Sequence, residues 1–435
     1  MSKAVLTYES KLDSLLDFAG QKTVEGPEWL QSLRQKGLEE FRRQGIPTTA
    51  NEEFKYTPLR EIADQSWEPA EPGPAVFDFN LPFVSQDSHR IVVVNGQFDR
   101  NLSDYTPETG LVIQSLYGAI QERPNLVEKV LGKVAELKDH PFAALNTALF
   151  HDGVFVYIEN GKKVEKFIEI IHITSGQGMV IVPRVAVYAE NGSSAKIIER
   201  FISDGEAKNL TIPVSEYILE PESCIETIRV QDEAESGYSI ALWDIIQHEK
   251  SQYLACNAAL GARIGRLDQN IEILGEYAVT RLDGVAVATG EQIIDNHTKL
   301  DHAVPNCTSF EVYKQIIDDS ASVVFNGKIY VHQDAQKTDA KQTNQALLLS
   351  PDAAINSKPQ LEIFADDVKC THGATVGQIE EQPLFYLMSR GIPKEQARSI
   401  LVYAFAAEVF ELITIEGLRE QLDERLFEKL KLKES

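Results

Sequence analysis

The stretch DDVKCTHGATVG, Asp366 to Gly377, sets Cys370 and His372 two residues apart. A thiolate and an imidazole are good ligands for iron or zinc, and they are also the two halves of a nucleophile–base dyad. On a strand, side chains alternate between faces. Val368, Cys370, His372, Ala374 and Val376 then share one face, while Lys369, Thr371, Gly373 and Thr375 share the other. Cys370 and His372 therefore point the same way, which suits a joint role. Their companions on that face are apolar, however, and free cysteine is among the most buried residue types. Two ligands alone make no metal site, so packing is the leading account of the spacing. A dyad lacks its orienting acid, because Asp366 and Asp367 precede the strand and belong in the turn leading into it.

A second candidate is DNHTKLDHAVPNC, which offers His297, Asp301, His302 and Cys307. Its spacing fits no common metal motif, and a solvated loop is the expectation. The four cysteines, Cys224, Cys256, Cys307 and Cys370, contain no C-x-x-C pair, which argues against a disulfide framework or a self-contained zinc or cluster site. NGKK and NGKI lack the upstream glycine and the following Ser or Thr of a phosphate loop, so no ATP binding of that kind is expected.

The elements that must carry these residues change along the chain. Leu12, Leu15, Leu16 and Ala19 recur on one helical face, and EWLQSLRQKGLEEFRRQG repeats the pattern through Leu30, Leu33, Leu38 and Phe41 before Gly45 and Pro47. A Pro-rich passage sets a boundary near residues 66–80, and a short helix is expected around NLVEKVLGKVAEL. From about Asn146 to Ile379 short alternating segments such as KFIEIIHIT and SVVFNGKIYVHQD read as strands, with turn signals too closely spaced for crossover helices. A sandwich, a barrel or a stacked β-helix remains, and small residues in repeated short strands favour the solenoid. After residue 380 the helical period returns. Ala397, Ile400, Leu401, Ala404, Phe405, Val409 and Leu412 form a broad stripe behind Pro393, and Leu418, Leu422, Leu426 and Leu430 follow at spacing four. Four regions result: 1–80 helical, 81–145 connecting, 146–380 strand-rich and 381–435 helical.

The 435-residue chain has 42 Lys plus Arg against 66 Asp plus Glu, a formal net charge of -24. That balance repels phosphate backbones and anionic lipid surfaces, so neither nucleic acid nor membrane is an expected partner. No apolar run approaches the roughly 20 residues of a membrane span, and the N-terminus carries neither a signal h-region nor an acid-poor transit peptide. A cytoplasmic location is the expectation.

VFNGKIYVHQDAQKTDAKQTNQALLLSPDAAINSKPQLEIFADDVKCTHGATVGQIEEQPLFYLMSRGI, residues 324–392, resembles the SufB/SufD family of iron–sulfur cluster assembly, and within it the SufD branch. GIPTTANEEFKYTPL and NTALFHDGVFVYI extend the resemblance over most of the chain. SufB-type chains carry a cysteine where this one has Thr343, and His-Glu where it has His372-Gly373. The resemblance implies a mainly β fold, a right-handed parallel β-helix between helical ends. It implies pairing with SufB through the β-helix and docking of the SufC ATPase through the C-terminal helices. Pro393, Ile400, Phe405 and Val409 are then candidate SufC contacts. It makes His372 the carried-over residue of the C-x-H-G motif, contributing to the interfacial site where iron or a nascent cluster is held transiently with SufB, and leaves Cys370 less secure. It leaves room for a homodimer of the isolated chain and implies no cofactor held tightly by this chain alone. The competing readings are a β-helix carbohydrate-active enzyme, for which no converging acid or base cluster is visible, and a purely structural interaction protein.

Overall fold

The computed structural model describes residues 7–8, 12, 16, 26–70, 82–85 and 87–431. Of the first expected helix only Leu12 and Leu16 fall among these, both buried, while Leu15 and Ala19 lie outside the described residues. Most of the Pro-rich boundary, 71–80, lies outside them too. The second expected helix is Glu28–Gln44, ending at Gly45, with Leu30, Leu38 and Phe41 buried. It crosses the helix Pro141–Leu149 at close range. A Cβ added to Gly37 would come within 2.8 Å of the Ala144 carbonyl oxygen, so only a residue without a side chain lets the two backbones meet there. The expected helix around residue 125 is brief, Pro124–Val127.

The body is a parallel β-solenoid of about 8 turns, as expected for the strand-rich region. Successive strands alternate between two sheets. One ends with Ile293–His302, Ser322–Val331 and Ala354–Ile363, the other with Thr308–Ile317, Asp339–Leu348 and Lys369–Gly377. The sheets begin upstream of residue 146, with His89–Val94 and Leu111–Ser115. Cα partners advance by about thirty residues per coil: Glu311 pairs with Gln342, which pairs with His372.

Alternation within each strand sends one set of side chains into the lumen and the other outward. The lumen holds the main core, including Val187, Tyr253, Leu282, Phe325 and Ile329, each at most 1% exposed. The outer face of the second sheet is covered by the chain's own C-terminal helices, Lys394–Phe410 and Glu416–Lys429. Val402, Ala406, Val409, Phe410, Leu418, Leu422 and Leu426 pack there against Ile228, Val230, Val285 and Ile316. Arg425 clamps the arrangement with two hydrogen bonds to Asp232, at 2.8 and 3.0 Å.

The N-terminal region grips the first sheet through buried charge. Arg266 lies 4.1 Å from the Phe54 ring centroid, donates to the Glu53 carbonyl at 2.7 Å, and forks onto Asp268 at 2.7 and 2.8 Å. Asp295 accepts from Arg266 and from the Thr57 hydroxyl, and pairs with His297 Nε2 at 2.9 Å. Glu53 reaches the other ring nitrogen of His297 at 3.3 Å. This corrects the expectation of a solvated loop at 297–307. His297 and His302 lie on one ten-residue strand, facing opposite sides, and Cys307 is buried. His302 is in the lumen against Ser309 at 2.9 Å.

Burial and the Arg266 guanidinium oppose charge on His297, but Asp295 and Glu53 outweigh them and raise its pKa to about 9. The folded value therefore lies above the ordinary 6.5. The stabilisation is complete below 6.5 and is lost as pH rises through about 9. For Asp268 and Asp295 burial works against the charge, yet Arg266 and His297 hold both carboxyls below their ordinary 3.8, so this support is lost as pH falls below that value. His297→Asn is expected to melt earlier than the parent at pH 6 to 7, with the difference closing above about pH 9. Equal differences at both ends would refute the ionised pair.

Candidate functional site at the open end of the solenoid

Among the described residues the last coil has no strand beyond it. Ala354–Ile363 pairs only with Ser322–Val331, and Lys369–Gly377 only with Asp339–Leu348, so each presents an unpaired edge. Rows of N–H and C=O groups along such edges are templates for another chain. The end also exposes apolar side chains: Val376 is 54% exposed, Phe364 56% and Ile363 37%. A solvated coil terminus would carry polar residues at these positions; a covered one would carry these.

His372 sits on this edge in the row that runs down the lumen through Gln342, Glu311, Leu282 and Ala255. Cys370 heads the neighbouring row above Ala340, Ser309, Thr280 and Tyr253. The shared face expected from alternation is thus the lumen face, at its mouth. The two differ in surroundings. Cys370 is half-buried against the lumen core together with Val368. Burial, opposed by a hydrogen bond from the Ala340 backbone, pushes its thiol up, away from the thiolate a metal requires. His372 is exposed and makes no hydrogen bond among the described residues. Asp366 and Asp367 lie in the bend before the strand, where Asp367 pairs with Lys337.

Among the described residues no three His, Cys, Asp or Glu side chains converge so as to hold a metal ion. One imidazole at an unpaired edge can supply one ligand, and a thiol with a raised pKa supplies a poor second. Any iron bound here needs its remaining ligands from outside the described residues. On the outer face of the same strands Thr343 and Gly373 are Cα partners, and a Cβ added at Gly373 would meet nothing within 4 Å.

The four candidate docking residues of the tail fall in different settings. Pro393 is exposed at the start of Lys394–Phe410, Ile400 and Phe405 are half-buried, and Val409 is only 1% exposed. Of the expected stripe only Val409 and, in part, Phe405 pack onto the chain's own sheet; the face packed there is Val402, Ala406, Val409 and Phe410, while Ala404 and Leu412 are exposed, and the Phe405 ring lies under the Lys314 ammonium at 4.5 Å. The apolar surface left open lies nearby on Glu381–Ser389, where Phe385 is 72% exposed, Tyr386 57% and Met388 42%. That short helix escaped the sequence pattern because its apolar residues sit on the side away from the core, where periodicity says nothing about burial.

Residues 172–405 match the family described as SUF system FeS cluster assembly, SufBD core domain, and residues 20–170 the SufBD protein N-terminal region. The chain is 31% identical over 401 residues to the iron-sulfur cluster assembly protein SufD of Escherichia coli (strain K12), covering 91% of this chain and 92% of that one. It is 26% identical to the SufD of Bacillus subtilis (strain 168) over 93% of this chain and 95% of the relative. It is 29% identical to the chloroplastic protein ABCI7 of Arabidopsis thaliana, over 90% and 84% respectively.

Proposed function

This chain belongs to the SufBD family of iron–sulfur cluster assembly proteins, and we propose that it is the SufD-type, non-catalytic subunit of a complex with SufB and the SufC ATPase. The observation that carries this reading is the position of His372, at the lumen mouth of a solenoid whose last coil ends in two unpaired strand edges. A SufB solenoid set end to end against it would continue both sheets, satisfy the open N–H and C=O groups and cover Val376, Ile363 and Phe364.

His372 would then stand inside the joint and offer a neutral imidazole to iron or to a nascent cluster, which is cargo here. The residue pattern of SufB-type chains supports a complementary donor set. Their cysteine and glutamate would occupy the places of Thr343 and Gly373, which are side by side in this fold. Divided ligands cannot assemble in either chain alone, which accounts for the absence of a three-residue donor cluster among the described residues. ATP-driven closure of SufC, acting through the C-terminal helices, would load the joint and expose its ligands. No helix among the described residues is long and apolar enough to cross a membrane. A cytoplasmic complex is part of the proposal, resting on the sequence reading alone.

Purification of this chain alone, and of its complex with SufB and SufC, followed by iron and acid-labile sulfide assay, tests the reading. Iron and sulfide are expected in the complex only. An isolated chain that holds a full cluster, or one that never associates with SufB, overturns it. SufC docking has its own test in Phe385→Ser combined with Tyr386→Ser. Loss of two exposed aromatic anchors is expected to weaken SufC recruitment by at least about 30-fold while SufB remains bound. Unchanged SufC recovery would move the docking surface elsewhere.

A further inference from the structure

The residues beneath His372 form a hydrogen-bonded stack that crosses the lumen. Glu311, 1% exposed, accepts from the Thr298 hydroxyl at 2.5 Å through one carboxylate oxygen and from Gln342 Nε2 at 2.6 Å through the other. Thr298 comes from the opposite sheet, so Glu311 is held from both walls. One coil further on, the wall facing Gln342 is Gly327, because Thr298 pairs with Gly327 just as Glu311 pairs with Gln342. A Cβ at Gly327 would lie 2.2 Å from Gln342 Nε2, so the glycine makes the room that the amide occupies. Gln342 is itself 2% exposed, and its Oε1 has no hydrogen-bond partner among the described residues. A buried amide oxygen left open is costly, and the next residue in its row is His372.

We propose that Gln342, its amide fixed by Glu311, is a positioning residue for His372: the exposed ring turns onto the lumen mouth so that the open Oε1 accepts a hydrogen bond from one ring N–H, leaving the other ring nitrogen unprotonated and turned out of the lumen. A carboxylate only accepts, so Glu311 obliges Gln342 to turn its NH2 group inward and its carbonyl toward the mouth. A metal-binding histidine is commonly held in this way, its second nitrogen donating to a fixed acceptor that sets the tautomer. The inference rests on the reading of His372 as a ligand for its functional consequence, but not for the hydrogen bond itself.

The test is made on the full chain labelled with 15N-histidine, free of metal, at about pH 8.5, above the value of about 7 to which burial pushes Glu311. The His372 signal is assigned by its loss in His372→Ala. The parent is expected to show a single neutral tautomer. Gln342→Met removes the acceptor and should leave a mixture of both. Glu311→Gln is isosteric and releases the demand: its carboxamide can donate or accept, the Thr298 hydroxyl can take either role, Gln342 is free to turn over, and His372 should show a mixture of tautomers. A rigid wall of the same shape would produce no such change. A mixture of tautomers in the parent overturns the proposal without any variant. An unchanged tautomer in Gln342→Met does so even if Glu311→Gln fails to fold. In the complex, Glu311→Gln should lower iron and sulfide recovery about 10-fold. If the tautomer changes but recovery is full in both Glu311→Gln and His372→Ala, positioning stands and the ligand reading falls. If His372→Ala abolishes recovery while the tautomer never responds, the positioning role alone falls.

Discussion

His372→Ala is expected to cut the iron and acid-labile sulfide recovered with the reconstituted complex by at least about 10-fold, while leaving the fold and partner binding intact. The expectation is large because the site has so few donors. Among the described residues no three donor side chains converge to hold a metal ion, and Cys370, two residues away on the same face, is half-buried with its thiol pushed up by desolvation. It is also clean, because the His372 side chain is solvent-exposed and its removal opens no cavity. Cys370→Ser should be much milder, a small packing defect at a half-buried position. Full iron and sulfide incorporation by His372→Ala would remove the ligand role. An equal loss in Cys370→Ser would mean that both residues of the motif bind.

Val376→Asp is expected to separate the two solenoids, weakening SufB association by at least about 30-fold, equivalent to about 2 kcal/mol. Val376 is 54% exposed in the isolated chain, so a carboxylate there is hydrated and harmless to folding. In an end-to-end joint the same carboxylate would be stripped of water with no counter-charge opposite, in a row that continues inward through Ala346 and Gln315. Titration of SufB against the parent and Val376→Asp, with melting curves to show equal folding, decides the point. Unchanged affinity would place SufB elsewhere on the molecule.

Much of this was readable in the residues, and the parts that were not share one cause. Alternation along 368–376 put Cys370 and His372 on one face, and the strand bears this out, because a two-residue period is local. The same period cannot say what lies above or below a residue. Gln342 and Glu311 are 30 and 61 positions before His372, 372 − 342 and 372 − 311, and join its row only once the register of each coil is known. No exact repeat marks that register. Gly327 shows the difficulty: SVVFNGKIYVHQD reads as a strand, but nothing local says that its glycine is kept free of a side chain by an amide from the opposite wall. Arg266, Asp295 and His297 misled for a related reason. In sequence they are charges among polar neighbours, and only the docking of Phe54 and Thr57 upon them makes the site dry. The tail helix was read as apolar along the wrong line: the face turned onto the chain's own sheet is Val402, Ala406, Val409 and Phe410, which shares only Val409 with the expected stripe.

The unpaired last coil has a further consequence for energetics. In a stacked array each coil is stabilised by its own contacts and by its neighbours on two sides, so stability grades along the axis. Coils in the middle are clamped from both directions and further braced by the Arg425–Asp232 pair. The coil carrying His372 has a neighbour on one side only. It is therefore the segment with the lowest local unfolding free energy in the solenoid, the place where amide exchange begins and where a modest mechanical load does most. A partner seated there would raise that local stability, and a load that unseats it would return the histidine to a coil already close to opening.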